Sequence, residues 1–237
     1  MRRVPVLVVA LSLVAVAALP ASARAPSPPT VDVHSLGVMA PDARSIRVQV
    51  LASCGERAVV VQAVVAVSQP SGSGRAPIPL TCRGFVQVFN VVVPVETGVF
   101  GLGTADVTAT VVSARGKTLA ASDTDVVSID PGVTVDLGES ARLGPGGASV
   151  VLDVTVACPA GTTGVPSRVG VFQVLTSGSG TYLPVCDGQP HTFPVTVTAT
   201  QGAYVGGIAQ ALTFADILWE GRSFSGVDDD GALELVP

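Results

Sequence analysis

Apolar and polar residues alternate along several short stretches of this chain. Residues 46–51 place Arg47 and Gln49 between apolar side chains, and residues 86–88 and 195–198 alternate in the same way. This pattern predicts strands with one buried face. Residues 59–67 are almost continuously apolar and β-branched, which predicts a strand buried on both faces. Helical periodicity is nearly absent, and residues 207–218 also favour a strand.

Turn-forming residues separate these stretches. The serine and glycine runs at residues 71–74 and 177–180 predict turns at corresponding places in the two halves of the chain. Asp130-Pro131-Gly132 is the strongest break in the middle, because proline and glycine both interrupt regular structure. We therefore expect a domain boundary there.

One pattern occurs twice in the chain, at a separation of 104 residues. Cys54 and Cys82 are 28 residues apart, and so are Cys158 and Cys186. The same shift superposes framework positions of like character: Gly84 on Gly188, Gly98 on Gly202, Phe100 on Tyr204 and Gly103 on Gly207. A repeat of about 100 residues has the size of a whole domain, so the chain is predicted to contain two tandem domains.

Short strands, recurrent turns and units of this size predict an all-β fold. We expect two tandem immunoglobulin-like β-sandwich domains, at residues 31–131 and 132–237. The cysteines of each unit are too close in sequence for the inter-sheet bridge of an antibody domain. Each bridge is therefore expected to tie neighbouring strands or a loop.

The first 30 residues have the layout of an export signal followed by a linker. Arg2 and Arg3 precede an apolar run from Val4 to Leu19, and small residues follow up to Ala23. This predicts a signal peptide at residues 1–23, because the run is shorter than the roughly 20 residues that a membrane span prefers. An uncleaved N-terminal anchor is the alternative. Residues 24–30 predict a flexible, proline-rich leader.

Export bears on the cysteines and on where the mature chain resides. We expect a secreted protein without a membrane span after signal removal, extracellular or loosely associated with the cell envelope. Disulfides persist in such compartments. Four cysteines allow three pairings. Two independently folding copies select Cys54 with Cys82 and Cys158 with Cys186, each bridge stabilising its domain by about 3–4 kcal/mol in the chain-entropy model.

Charge and composition exclude one class of partner. The formal net charge changes from −5 to −5 − 2 = −7 when Arg2 and Arg3 leave with the signal, and Lys117 is the only lysine. Nucleic acid is not an expected partner, because polyanion binding needs clustered Arg and Lys. The hydrophobic content of 48% and charged content of 13% indicate folded domains with their own cores.

The segment from Cys186 to His191, followed by alternating valines and a Gly-x-Ala strand, carries a family resemblance. It resembles secreted immunoglobulin-like β-sandwich repeat proteins of unknown function from high-GC Gram-positive bacteria, over residues 150–215. The first copy departs from this pattern, because Gln87 stands at the position of His191. The resemblance implies no activity, and any function of the histidine would belong to the second domain alone.

Two small groups of residues are candidates for a site. Asp228, Asp229 and Asp230 are weak candidates for a calcium site, since calcium prefers several carboxylate oxygens, but Asp-Gly is also a common hairpin turn. Trp219, Tyr182 and Tyr204 are weak candidates for a ligand groove or carbohydrate face, with core packing as the alternative. Exposure of Trp219 beside either tyrosine would favour binding.

No catalytic residue and no cofactor are predicted. His34 and His191 stand alone, without a metal-binding or hydrolase motif. The chain is predicted to be an exported, non-catalytic structural or binding module whose partner is an unknown protein or cell-envelope component. A secreted carrier of a small hydrophobic ligand is the alternative, by analogy of fold, and a hydrolase using His191 is a second. Function is expected at the positions in which the two copies differ.

Overall fold

The computed structural model describes residues 28–55, 60–113 and 119–237. The expected signal peptide, and all but the last residues of the expected leader, lie outside the described residues. In the described part of the chain, regular structure consists of strands and one short 3-10 helix at Pro145–Gly147. No helix in that part is long and apolar enough to cross a membrane.

The first of two sheet bodies is built from seven strands of the described chain. They are β1 Thr30–Met39, β2 Ser45–Ser53, β3 Val60–Gln69, β4 Gly72–Pro77, β5 Gln87–Gly98, β6 Gly103–Ser113 and β7 Leu119–Pro131. Neighbouring strands follow the order β1-β2-β5-β4-β3-β6-β7. A parallel pairing of β1 with β7 closes this order on itself, so that no long strand edge is left unpaired.

The second sheet body repeats this arrangement. Its strands are β8 Thr134–Leu143, β9 Ser149–Ala157, β10 Thr163–Gly164, β11 Ser167–Gln173, β12 Thr176–Tyr182, β13 His191–Gln201, β14 Gly207–Trp219 and β15 Arg222–Val236. The order β8-β9-β13-β12-β11-β14-β15 is closed by a parallel pairing of β8 with β15, and the two-residue β10 is added at β14. Leaving β10 aside, the two bodies have corresponding strands in corresponding places.

The alternating stretches form the strands whose alternate residues fill the interior. In β2, Ile46, Val48 and Val50 are fully buried, and Arg47 between them is exposed. Their counterparts in β9, Val150, Leu152 and Val154, are buried to the same extent. The strands predicted at residues 46–51, 195–198 and 207–218 are confirmed. The strand predicted at residues 59–67 is β3, but its expected burial on both faces is wrong, because Gln62 and Ala66 are exposed.

The predicted turns at residues 71–74 and 177–180 are wrong in position. Gly72–Gly74 belongs to β4, and Ser177–Gly180 belongs to β12. The glycines are needed there because another strand approaches closely: a Cβ on Gly178 would lie 2.2 Å from the carbonyl oxygen of Thr198 in β13. The turns themselves lie earlier in the chain, at residues 70–71 and 174–175.

The four cysteines form two disulfides, one in each sheet body. Cys54 pairs with Cys82 and Cys158 pairs with Cys186, as the spacing predicts. The first bridge joins the end of β2 to the segment before β5, and the second joins the end of β9 to the segment before β13. In each case the two strands pair with each other, so the bridge links neighbouring strands rather than opposite layers. The backbone N–H of Gly188 donates to the Cys158 carbonyl at 3.0 Å, and Gly84 and Cys54 make the same hydrogen bond.

Two sets of hydrogen bonds between a polar side chain and backbone groups, which we call polar clamps, are also repeated. The side chain of Gln69 donates to the carbonyl oxygens of Gly101 and Thr104 and accepts from the Gly101 N–H, and Gln173 binds residues 205 and 208 in the same way. The Asp123 carboxylate accepts the Val33 N–H at 2.8 Å, and Asp228 accepts the Leu137 N–H at 2.8 Å. Each aspartate thereby holds the first strand of its body beside an irregularity in the strand register.

Candidate functional site

An apolar surface covers the outside of the second sheet body, on β11, β14 and β15. We call it the apolar face and define it by Phe172, Leu212, Phe214 and Val227. Phe172, Phe214 and Val227 are 47%, 40% and 54% exposed. In the strand register, Val227 lies opposite Phe214, so these two side chains are neighbours on the same surface.

Gly170 leaves space on this face for the ring of Phe172. It lies opposite Leu212 in the pairing of β11 with β14. A Cβ at Gly170 would lie 3.0 Å from two carbon atoms of the Phe172 ring, so the ring lies across the strand at this glycine. The Phe172 ring therefore lies near Leu212, whereas the exposed Arg168 lies opposite Phe214 on the same face.

The corresponding positions of the first sheet body carry hydroxyl groups, and the exposed Ala66 and Val126 lie on the same face. The 104-residue shift places Ser68, Thr108 and Thr110 at the positions of Phe172, Leu212 and Phe214, and the strand register places Ser122 at that of Val227. Thr108 is hydrogen-bonded to Thr124 at 3.0 Å across this face. In the described part of the chain, the two copies therefore share a strand arrangement and differ in the chemistry of this surface.

The apolar face was not predicted from the sequence, because β14 reverses the usual size pattern. Four of its five buried inward residues are small, namely Ala209, Ala211, Thr213 and Ala215, and only Ile217 is large. Its outward residues include the larger Leu212, Phe214 and Leu218. Alternation alone assigns the larger apolar residues to the core. Comparison of the two copies supplies the missing signal, since hydroxyl residues in the first copy mark this face as external.

The three aromatic candidates do not form one site. Tyr182 and Tyr204 are 9% and 2% exposed and belong to the core of the second sheet body. Trp219 is half-buried and packs against Phe224, with 6.1 Å between ring centroids. Arg222 lies over the Phe224 ring at 5.0 Å and also donates to Asp130 at 3.3 Å.

Both tyrosine hydroxyls have internal partners. Tyr182 donates to the Phe214 carbonyl oxygen at 3.0 Å and is hydrogen-bonded to Thr213, and Tyr204 donates to the Val171 carbonyl at 3.0 Å. Burial is the main cause that raises the pKa of Tyr182, and the charge of Asp216 adds to it, whereas the hydrogen bond from Thr213 acts against it. Burial also raises the pKa of Tyr204. These contacts are those of structural tyrosines.

His191, the first residue of β13, forms an exposed hydrogen bond with the turn that precedes this strand. Its Nε2 lies 2.9 Å from Oδ1 of Asp187, which also accepts the backbone N–H of Gln189 at 2.9 Å. The Gln189 N–H lowers the pKa of Asp187 most, and the His191 hydrogen bond lowers it further. This arrangement orders the turn. His34 lies in the other sheet body, in β1.

In the acidic segment of β15, Asp228 makes a hydrogen bond that has a counterpart in the first body. Asp228 binds the Leu137 N–H, as Asp123 binds the Val33 N–H in the first body. The side chains of Asp229 and Asp230 lie outside the described residues. Among the residues that the structure describes, no group of three or more His, Cys, Asp or Glu side chains is placed to hold a metal ion.

Comparisons with known proteins give distant likenesses. No protein-family model matches the chain, and no curated protein sequence matches it. The chain is similar to a Corynebacterium diphtheriae protein described as membrane-anchored, at 12% identity and a TM-score of 0.26, over 89% of this chain and 59% of that one. It is also similar to part of the N-terminal region of an enterococcal surface protein, at 6% identity and a TM-score of 0.27, over 85% of this chain and 93% of that one.

The first likeness is also partial in length, since this chain spans about three fifths of the Corynebacterium chain. At such TM-scores neither likeness carries an argument about this chain.

Proposed function

We propose that this chain is an exported, non-catalytic binding module made of two immunoglobulin-like β-sandwich domains, at residues 31–131 and 132–237. The apolar face of the second domain contacts the partner, a protein or another component of the cell envelope. The observation that carries this proposal is the difference between Phe172 and Phe214 and their hydroxyl counterparts on an otherwise repeated scaffold. Contiguous exposed apolar surface is unfavourable in water unless something covers it.

Export is supported by the two disulfides and by the N-terminal sequence, which has the layout of a signal peptide. The immunoglobulin-like assignment is supported by the strand order, since β1-β2-β5-β4 and β3-β6-β7 follow the ABED and CFG orders of that fold, and by the repetition of this order in the second body. Interior positions are occupied by packed side chains such as Leu152 and Tyr204, which favours surface binding over a carrier that encloses its ligand. His191 and Asp187 are four residues apart in one exposed segment, which favours a contact that orders a turn over a hydrolytic site.

Co-sedimentation with an envelope fraction of the producing cell tests this function. The double variant Phe172→Ser and Phe214→Thr gives the second domain the residues of the first, and it should reduce the bound fraction at least tenfold. The matched control is Val126→Thr, which removes an apolar side chain that is 60% exposed in the first domain. Equal retention of all three proteins, or loss of binding in the control alone, would contradict the proposal.

A further inference from the structure

One end of the second sheet body carries four large apolar side chains in water. The turn between β11 and β12 contributes Val174 and Leu175, and the start of β14 with the segment before it contributes Ile208 and Val205. In chain order these residues are 99%, 82%, 63% and 68% exposed, and they line one groove, so they form a single surface. We call this surface the uncharged tip. Its equivalents in the first copy are small or polar, namely Pro70, Ser71, Gly101 and Thr104.

The two segments that form the tip carry no charge. Residues 169–186 and 192–215 contain no Asp, Glu, Lys or Arg. The equivalent segments of the first copy contain three charged residues, and the 104-residue shift places an uncharged residue at each: Ser179 for Arg75, Thr200 for Glu96 and Gln210 for Asp106. The second copy is therefore uncharged around the same end at which its exposed side chains are large and apolar.

The backbone beside the tip has internal hydrogen-bond partners. The Gln173 side chain donates to the carbonyl oxygens of Val205 at 2.9 Å and Ile208 at 3.5 Å, and it accepts the Val205 N–H at 3.1 Å. The Thr176 hydroxyl donates to the Ala203 carbonyl at 2.9 Å. An unpaired backbone group is costly to remove from water. These bonds therefore lower the cost of placing this loop against hydrocarbon.

We propose that the uncharged tip contacts the surface of a lipid bilayer. Its four apolar side chains enter the boundary between head groups and acyl chains, where apolar residues are favoured and charged residues are costly. Charge complementarity, which selects protein partners, has no charged group to act through in these segments. The chain has a negative formal net charge, so attraction to anionic lipids does not contribute and the contact is with electrically neutral lipid.

This lipid contact adds to the contact of the apolar face and does not depend on it. Phe214 of the apolar face lies about 20 Å from Ile208 along β14, at roughly 3.4 Å per residue. A patch of four side chains gives weak and reversible binding. The tip can therefore hold the module near a membrane while the apolar face engages a different component of the envelope.

Flotation of the full chain with phosphatidylcholine vesicles tests this proposal, at about 5 mM lipid because the binding is weak. The wild-type protein should float with the vesicles. The variant Val174→Ser with Leu175→Ser should reduce the floated fraction about tenfold, since two exposed apolar side chains lose their contact with lipid. Both positions lie outside the core, and circular dichroism checks that the variant is folded.

Phe214→Thr is the matched control, because it removes an exposed apolar side chain of the same body away from the tip. It should float like the wild type. A second control replaces about a third of the lipid with phosphatidylglycerol, which should not increase the floated fraction. Leu175→Glu provides a separate disruption of the tip, because it introduces a charge at the point of contact, and it should lower flotation as the double serine variant does.

Three results would overturn the proposal. They are a wild-type protein that does not float with phosphatidylcholine, tip variants that float like the wild type, and binding that requires phosphatidylglycerol. Equal loss in Phe214→Thr and in the tip variants would also overturn it, because the apolar face would then be the lipid contact. Absence of flotation together with intact sedimentation on the envelope fraction would refute the lipid contact alone, so the two proposals fail separately.

Discussion

At the scale of single residues, a few polar side chains connect segments that the strands alone leave apart. Gln173 is one, since it binds both the N–H and the carbonyl of Val205 and so fixes the loop that leads into β14. Replacing Gln173 with Ala should lower the free energy of unfolding of the second domain by about 1–2 kcal/mol, because backbone groups lose their partner. Chemical denaturation measures this loss. Gln69→Ala should produce a similar loss in the first domain, and an effect confined to one of the two would contradict the equivalence of the clamps.

The two tyrosines give a residue-scale prediction for alkaline pH. The chain contains only Tyr182 and Tyr204, and burial raises the pKa of both. A phenol whose pKa is higher in the folded state contributes stability below its unfolded pKa, and this contribution is lost as the pH rises from about 10 through the folded value. An ultraviolet absorbance titration should therefore show each phenol less than half ionised at the ordinary tyrosine pKa while the protein is folded. Half ionisation of either phenol at or below that pH would contradict the buried placement.

At the scale of strands, close approach between β12 and β13 depends on glycine. A Cβ on Gly178 would lie 2.2 Å from the Thr198 carbonyl oxygen and 2.5 Å from the Tyr204 hydroxyl. Gly178→Ala should destabilise the second domain by roughly 2–4 kcal/mol, because backbone and a buried ring must both shift. Gly206→Ala is the matched control, since the nearest atom to its Cβ would be at an ordinary 3.6 Å. Equal thermal stability of the two variants would refute this explanation of the glycine run.

Strands and turns differ in how far the sequence predicts them. The interior of β2 and β9 follows from alternation, because burial of every second side chain depends on local pattern alone. The glycines of β4 and β12 were assigned to turns because the local sequence does not show why glycine is required. The reason is the close approach of the neighbouring strands β5 and β13 in the folded structure. The apolar face of β14 was missed for a related reason: the inward positions opposite this face, Ala209, Ala211 and Thr213, are small, and rings such as Tyr204 fill the core from other segments.

At the scale of the whole molecule, each domain is expected to fold on its own core and its own disulfide. The apolar clusters of the two bodies share no residue. Replacing Cys54 and Cys82 with Ala should lower the stability of the first domain by about 3–4 kcal/mol and leave the unfolding transition of the second unchanged. Differential scanning calorimetry with both double-cysteine variants measures the two transitions. A loss of equal size in both transitions would mean that the bodies unfold as one unit.

The central claim is that one face of a repeated scaffold carries the binding function. Covalent footprinting of the chain bound to its envelope fraction tests this claim most directly, because labelling reports the exposure of individual side chains. The account predicts that Phe172 and Phe214 lose labelling on binding, whereas the hydroxyl face around Thr108 and Thr110 remains as accessible as in the free protein. Protection of the first-domain face alone, equal protection of both faces, or the absence of any bound fraction would contradict it.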